Sequence, residues 1–262
     1  MISKIKEIFQ WRQLIFSLAF KDIKIRYRQA IGGFGWMFIN PLVQMVLFIF
    51  IFKFIFKIGI KNYPLFLLSG LFPWAYLASV INDASMAIIH NSSLIKKTNF
   101  ARQVLPLATV LTQSVNFIFP LIVLFIFSLI SSPGPVMVFI WLPLVILAQI
   151  ILLTGLALMV SALNVEYRDV SFIINIILTV WFYVTPIVYP VGMARGLLSG
   201  WALRLYLANP MTGIITAYQD IFFYGRVPDA LSIIGIIFVA TLILGIGFWV
   251  FNRYEAKFEE AL

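Results

Sequence analysis

Residues 136–163 read VMVFIWLPLVILAQIILLTGLALMVSAL, with no charged side chain. The stretch exceeds the roughly 20 apolar residues that an α-helix needs to cross the hydrocarbon core of a bilayer. In lipid, every backbone N–H and C=O must be satisfied, which a helix does within its own segment. Working outward, residues 34–58, 64–90, 104–130, 170–189 and 230–251 repeat the pattern, so six spans are predicted with 136–163 as the fourth. Ser131-Ser132-Pro133-Gly134-Pro135 predicts a tight turn before it. Residues 190–229 are too polar and too broken by Gly and Pro to span. Trp201, Tyr206, Phe222 and Phe223 make them apolar enough to dip into one leaflet as two short helices.

Composition agrees. The 262 residues are 62% hydrophobic and 11% charged, where a soluble domain is about half apolar and a quarter charged. With no cysteine, disulfides, thiolate catalysis and cysteine metal sites are excluded, and the single histidine, His90, cannot build a His-rich metal site. The net charge of +9 does not point to nucleic acid. The basic residues lie at segment ends and along one helix, where anionic lipid head groups or a partner would face them. No strong internal repeat suggests an inverted-repeat carrier.

Seven of the nineteen Lys and Arg fall in residues 1–33. Lys6, Gln10, Gln13, Ser17, Lys21, Lys24 and Arg28 recur every three or four positions as a polar stripe. Ile5, Ile8, Phe9, Ile15, Phe16, Ala19, Phe20 and Ile23 take the other side, with Arg12 and Arg26 interrupting it. That is the pattern of a helix lying on a membrane surface over 3–28. A cleavable leader is not expected, since a charged amphipathic stretch stands where a short apolar region and a small-residue cleavage site belong. The chain therefore divides into an interface helix, 1–33, and a six-helix transmembrane domain, 34–262. If the N-terminus is cytoplasmic, inner segments hold thirteen Lys and Arg and outer segments four. The positive-inside rule then puts both termini inside, with 91–103 and 164–169 as inner loops and Lys53 and Lys57 snorkelling outward.

No G-x-x-x-x-G-K-S/T, H-E-x-x-H or G-x-S-x-G occurs, so neither a phosphate-binding loop nor these catalytic motifs are present. Glu166 and Asp169 sit three apart around Arg168, as a locally stabilised loop more than an acid–base pair. Asp83 is the one acid inside a predicted span. Such a residue suggests ion coupling by default, but near the span's inner end it also suits pairing with a basic residue of the surface helix. In 91–103, Leu94, Ile95 and Phe100 form an apolar edge and Lys96, Lys97 and Arg102 add charge. This predicts a small helix that plugs into a soluble partner, with Leu94 and Ile95 facing it. Trp36, Trp74, Tyr76, Trp181, Tyr183 and Tyr189 lie near span ends or bends. They read either as an interfacial aromatic belt or as a lining that stacks on sugar rings.

Four stretches together resemble the permease subunits of type-2 ABC exporters, particularly those moving O-antigen, capsule or teichoic acid. The first is Lys21-Asp22-Ile23-Lys24-Ile25-Arg26-Tyr27-Arg28-Gln29 continuing to Gly33, Trp36, Asn40 and Pro41. The second is Ser69-Gly70-Leu71-Phe72-Pro73-Trp74, leading to Asn91-Ser92-Ser93-Leu94-Ile95-Lys96-Lys97. The third is Leu163-Asn164-Val165-Glu166-Tyr167-Arg168-Asp169-Val170 followed by Thr185-Pro186-Ile187-Val188-Tyr189-Pro190, and the fourth is Asn209-Pro210-Met211. Ala101 departs from the Pro common at its position. The resemblance implies an all-α integral membrane protein of the bacterial cytoplasmic (inner) membrane. It has six transmembrane helices, an N-terminal interface helix, a coupling helix in the first inner loop and short re-entrant helices between the last two spans. It implies a homodimer with two copies of a separate ATP-binding subunit. This chain then holds no cofactor, ATP and Mg belonging to the partner. Leu94, Ile95, Lys96, Lys97, Phe100, Arg102, Glu166, Tyr167, Arg168 and Asp169 then meet the ATPase. Tyr27 and Arg28 meet a lipid carrier's head group, and Trp36, Trp74, Trp181, Tyr183 and Tyr189 line the path of a lipid-linked polysaccharide. A membrane transferase acting on lipid-linked sugars, an ion-driven carrier dependent on Asp83, and an exporter of lipids or drugs are the competing readings.

Overall fold

The computed structural model describes residues 7–28, 33–51, 62–131, 134–167 and 169–258, and every regular element among them is helical. Arg168, Lys53, Lys57, Lys61 and the Ser132-Pro133 turn lie outside the described residues. In chain order the helices are α1 (Arg12–Arg28), α2 (Trp36–Phe50), α3 (Tyr63–His90), α4 (Ser92–Lys97), α5 (Val104–Ser131), α6 (Leu142–Glu166), α7 (Val170–Val184), α8 (Val191–Leu197), α9 (Gly200–Ala208), α10 (Pro210–Gln219) and α11 (Ala230–Tyr254).

Among the described residues, four segments are long and apolar enough to cross a membrane: Tyr63–Lys97, Val104–Ser131, Val136–Glu166 and Ala230–Lys257. They coincide with the spans expected at 64–90, 104–130, 136–163 and 230–251. Of the other two, the first, expected over 34–58, is described only as far as Ile51, and 52–58 lie outside the described residues. The described helix of the first is α2, 15 residues. The fifth, expected over 170–189, stops at Val184, giving a 15-residue α7. At 1.5 Å per residue that is about 22 Å, short of a ~30 Å core. Pro186 is the cause: a residue before proline is pushed out of the α region, and Thr185 is extended at φ −106°, ψ 141°.

Lipid tails are as apolar as leucine, so burial alone does not drive spanning helices together, and close packing through small residues takes over. The α6–α11 seam is built this way. Gly155 lies against the backbone of Ile243 and Leu244, and Gly247 lies against the Gly155 carbonyl. Buried amides bridge the bends. Gln149 donates to the Pro73 carbonyl at 2.9 Å and accepts from the Tyr218 hydroxyl at 2.9 Å. Gln219 donates to the Pro186 carbonyl at 2.8 Å.

The expectation of two short helices in 190–229 is corrected to three, α8–α10, followed by one π-helical turn, Asp220–Tyr224. Nor does all of this region merely dip. Met211, Ile214, Ile215, Tyr218, Ile221 and Phe222 are fully buried in the main core. Their spacing of three and four is the signature of one buried helical face, which the Gly and Pro content obscured. Gly225, at φ +59°, ends the π turn and lets the chain pass against Gly134.

Candidate functional site

The richest convergence of polar groups lies at the basic end of the bundle, where α3 gives way to α4 and α5 begins. The α4 helix is a single six-residue piece, closed where the Thr98 hydroxyl and amide donate to the Leu94 carbonyl at 2.7 and 3.1 Å. Ile95 and Phe100 are buried in a second core cluster with Ile88, Val104, Leu158, Val165, Phe251 and Phe258. Trp11 meets Phe100 edge-on at 6.3 Å. The expectation that Leu94 and Ile95 both face outward is therefore corrected. Adjacent helical residues point about 100° apart. Here Ile95 turns into the chain's own core at 6% exposed, and Leu94 stays half-buried. The surface presented is Ser93, Lys96, Lys97, Thr98 and Asn99.

Three chain segments lock together behind that surface. Arg102 donates to the Glu255 carbonyl at 2.7 Å, and Gln103 donates to Asn252 and Glu255 side chains at 3.1 and 3.2 Å. Lys257 Nζ meets Glu166 Oε1 at 2.5 Å. A hydrogen bond with Tyr254, with Glu166 nearby, pushes the exposed Tyr167 phenol up from its ordinary value. Buried Asn164 donates to the Ser85 carbonyl at 2.9 Å and accepts from the Ser171 amide at 3.0 Å, pinning the second loop to α3. Asp169 is exposed at the start of α7. Sequence reasoning missed the share of Asn252, Glu255, Lys257 and Phe258, which lie beyond the last predicted span. The one available signal was an isolated Phe258 seven residues after Phe251, and the two rings meet edge-on at 5.4 Å.

The α1 helix packs on α5 and reaches α3 through an ion pair. Arg26 pairs with Asp83 at 2.7 Å, and Gln113 also donates to that carboxylate. Asp83 thus takes the pairing reading. The single apolar side expected for this helix is corrected to two. Leu18, Ala19 and Ile23 turn inward, while Phe9, Phe16 and Phe20 are at least 62% exposed. Between α1, α3 and α5 lies a cleft of about 510 Å³ lined by Lys21, Asp22, Arg26, Asn82, His90 and Thr109 among others. Burial raises the Asp22 carboxyl, and Lys21 and Arg26 pull it back down. Tyr27 and Arg28 lie in the last turn of α1, but their side chains fall outside what is described. Among the described residues no three of His, Asp and Glu lie close enough to hold a metal ion.

The aromatics split as well. Trp36 and Tyr183 are open, 42% and 71% exposed. Trp74 is corrected to core. It is 6% exposed and meets Trp181 and Phe182 edge-on at 5.8 and 5.7 Å. Tyr189 donates to the Tyr183 carbonyl at 3.0 Å. The Trp181 indole donates to Asn209 Oδ1 at 2.9 Å, the same oxygen that caps α10 through the Met211 amide at 3.0 Å. Asn209 Nδ2 also donates to Thr185 Oγ1 at 3.1 Å. Asn209→Ala is thus expected to destabilise by about 2–4 kcal/mol, combining a lost cap with an indole left unpaired. Asn209→Ser should restore the cap share only. Thermal unfolding in detergent measures both, and equal melting of Ala and native protein would refute this role.

A multi-pass helical membrane protein with an N-terminal helix packed against its spans is the class that this architecture defines. Residues 13–223 match the ABC-2 type transporter family, and the chain belongs to that family. It is 32% identical to the O-antigen export system permease protein RfbA of Myxococcus xanthus, over the whole of both chains. It is 32% identical to an RfbA of Klebsiella pneumoniae over 244 residues, 92% of each chain. The polysialic acid transport protein KpsM of Escherichia coli is 21% identical over 242 residues, 89% of this chain and 91% of that one.

Proposed function

We propose that this chain is the membrane-spanning permease subunit of an ATP-driven exporter moving lipid-linked polysaccharide of the O-antigen class across the bacterial cytoplasmic membrane. The carrying observation is the end-to-end similarity to proteins named as O-antigen export permeases. Two copies form the pathway and bind two copies of a separate ATPase, which holds ATP and Mg. The first and fifth of six spans contain α2 and α7, α8–α10 form the re-entrant region, and both termini are cytoplasmic. The lock at the basic end supports a coupling role. Force on Lys96, Lys97, Tyr167 and Asp169 passes through Arg102–Glu255 and Glu166–Lys257 into α5, α6 and α11 together. The head group of the lipid carrier enters near Tyr27 and Arg28, and Trp36 and Tyr183 offer open rings to the sugar. In this reading the chain moves its substrate without chemistry on it, as the relatives' names as permeases suggest. The test is ATP-dependent transfer of a lipid-linked glycan into vesicles by the chain reconstituted with its ATPase. Glycan transfer or cleavage by the chain without any ATPase would overturn it.

The ion-driven alternative predicts dependence on the Asp83 charge. Asp83→Asn keeps hydrogen-bonding capacity towards Arg26 and Gln113, so export should stay within about threefold of native and remain independent of a proton gradient. A partly exposed ion pair is worth only about 0–1 kcal/mol. Loss of export in Asp83→Asn with normal insertion and ATPase binding would instead favour gradient coupling.

A further inference from the structure

A cavity of about 580 Å³ lies between α8, α9, α10 and the first turns of α11, at the opposite end of the bundle from the lysine-bearing loop. Its size falls in the ~300–1,000 Å³ range of small-molecule sites. Its mouth carries both charges. Arg195 stands in the last turn of α8, and Asp229 caps α11 by accepting from the Ser232 amide and hydroxyl, both at 2.8 Å. Those hydrogen bonds, with Arg195 nearby, hold the Asp229 carboxyl below its ordinary range, so it is ionised. One wall is closed by the Arg226–Asp220 pair at 2.7 Å. Deeper in, Thr212 is 2% exposed and its hydroxyl has no hydrogen-bond partner. A buried hydroxyl without a partner costs about 1–3 kcal/mol, which a ligand oxygen would remove. The rest of the lining is largely aliphatic, including Ile233, Ile236 and Val239. Val239 stands about 14 Å along α11 from Ala230, so the cavity follows a spanning helix to hydrocarbon depth.

We propose that this cavity holds one phospholipid with a zwitterionic, primary-ammonium head group as a resident lipid. The phosphate takes Arg195, the ammonium takes Asp229, a glycerol or ester oxygen takes the Thr212 hydroxyl, and an acyl chain follows Ile236 and Val239. Three observations select this occupant. A glycan favours aromatic planes, and among the described residues no aromatic one lines the cavity. A simple anion is opposed by Asp220 and Asp229. A wholly apolar guest would leave Arg195, Asp229 and Thr212 uncompensated. The site is independent of which substrate the protein exports.

Gly235 makes the test clean. It lines the cavity, and a Cβ built on it meets nothing within 4 Å, so Gly235→Leu fills the space without displacing backbone. The full-length chain is exchanged into an equimolar mixture of palmitoyl-oleoyl phosphatidylethanolamine, phosphatidylcholine and phosphatidylglycerol, and retained lipid is weighed by native mass spectrometry. One phosphatidylethanolamine per chain is expected, at least fivefold over the other two. Gly235→Leu should lose it while still eluting as a folded, monodisperse protein. Asp229→Asn, which keeps the helix cap, and Arg195→Gln should each reduce the preference below twofold. Equal retention of all three lipids, preference for phosphatidylglycerol, unchanged retention in Gly235→Leu, or displacement of the lipid by maltotriose would each overturn the assignment.

Discussion

Replacing Gly247 with leucine is expected to abolish recovery of a folded, monodisperse protein from the membrane. A side chain there meets the Gly155 carbonyl, and one at Gly155 meets the Leu244 nitrogen and the Ile243 oxygen at 2.6 and 2.7 Å. The obstructing atoms are backbone in two spanning helices, so no rotamer change relieves the clash. Overpacking against yielding side chains costs about 1–3 kcal/mol. Here α6 and α11 must separate, which exceeds that and takes a large part of the ~5–15 kcal/mol stability of a typical domain. Gly245 supplies the control. It lies on the same helix two residues earlier, with nothing within 4 Å of a built Cβ. Gly245→Leu should elute and melt like the native protein. A Gly247→Leu variant that melts within 2–3 °C of native, by the usual proportion of stability to melting temperature, would refute the close-packed seam.

Charge reversal of the exposed loop lysines should have the largest functional effect. Lys96→Glu with Lys97→Glu is expected to reduce export at least tenfold and to lower recovery of the ATPase with the permease, while melting stays native. Both positions are exposed, in the last turn of α4, so their replacement leaves the core untouched. Like-charge juxtaposition at an interface costs several kcal/mol, enough for such a loss. Ile95→Asp gives the contrasting result. That residue is 6% exposed in the chain's own core. It should lose melting stability as well as export, because an unpaired carboxylate is forced into an apolar cluster. Native export by the double lysine variant, with the ATPase retained, would remove α4 from the coupling role.

The four long spans were legible because each is an apolar run longer than the bilayer core, and lipid permits few backbone solutions to such a run. The Arg26–Asp83 pairing was legible in kind. An acid within a membrane segment needs a partner, and the basic stripe supplied one. The end of α7 was written locally, in Thr185-Pro186, yet a hydropathy pattern runs through proline without registering it. Ile95 shows a different limit. Composition marks α4 as amphipathic, but which of two adjacent apolar residues turns inward depends on where Phe100, Phe251 and Phe258 come to lie.

By itself, the sequence determined that this chain is a helical membrane protein, where its long spans fall, and, through end-to-end similarity, its family. Those properties follow from local hydropathy and from residue order. Only the tertiary structure decided that α10 is core, that Trp74 is buried against a half-buried Trp181, and that the C-terminal segment locks both loops. It also decided that Gly155 and Gly247, 92 positions apart, are one packing site. Each is a contact between segments distant in the chain. Its geometry depends on how every intervening helix is placed, and no single stretch of residues encodes that.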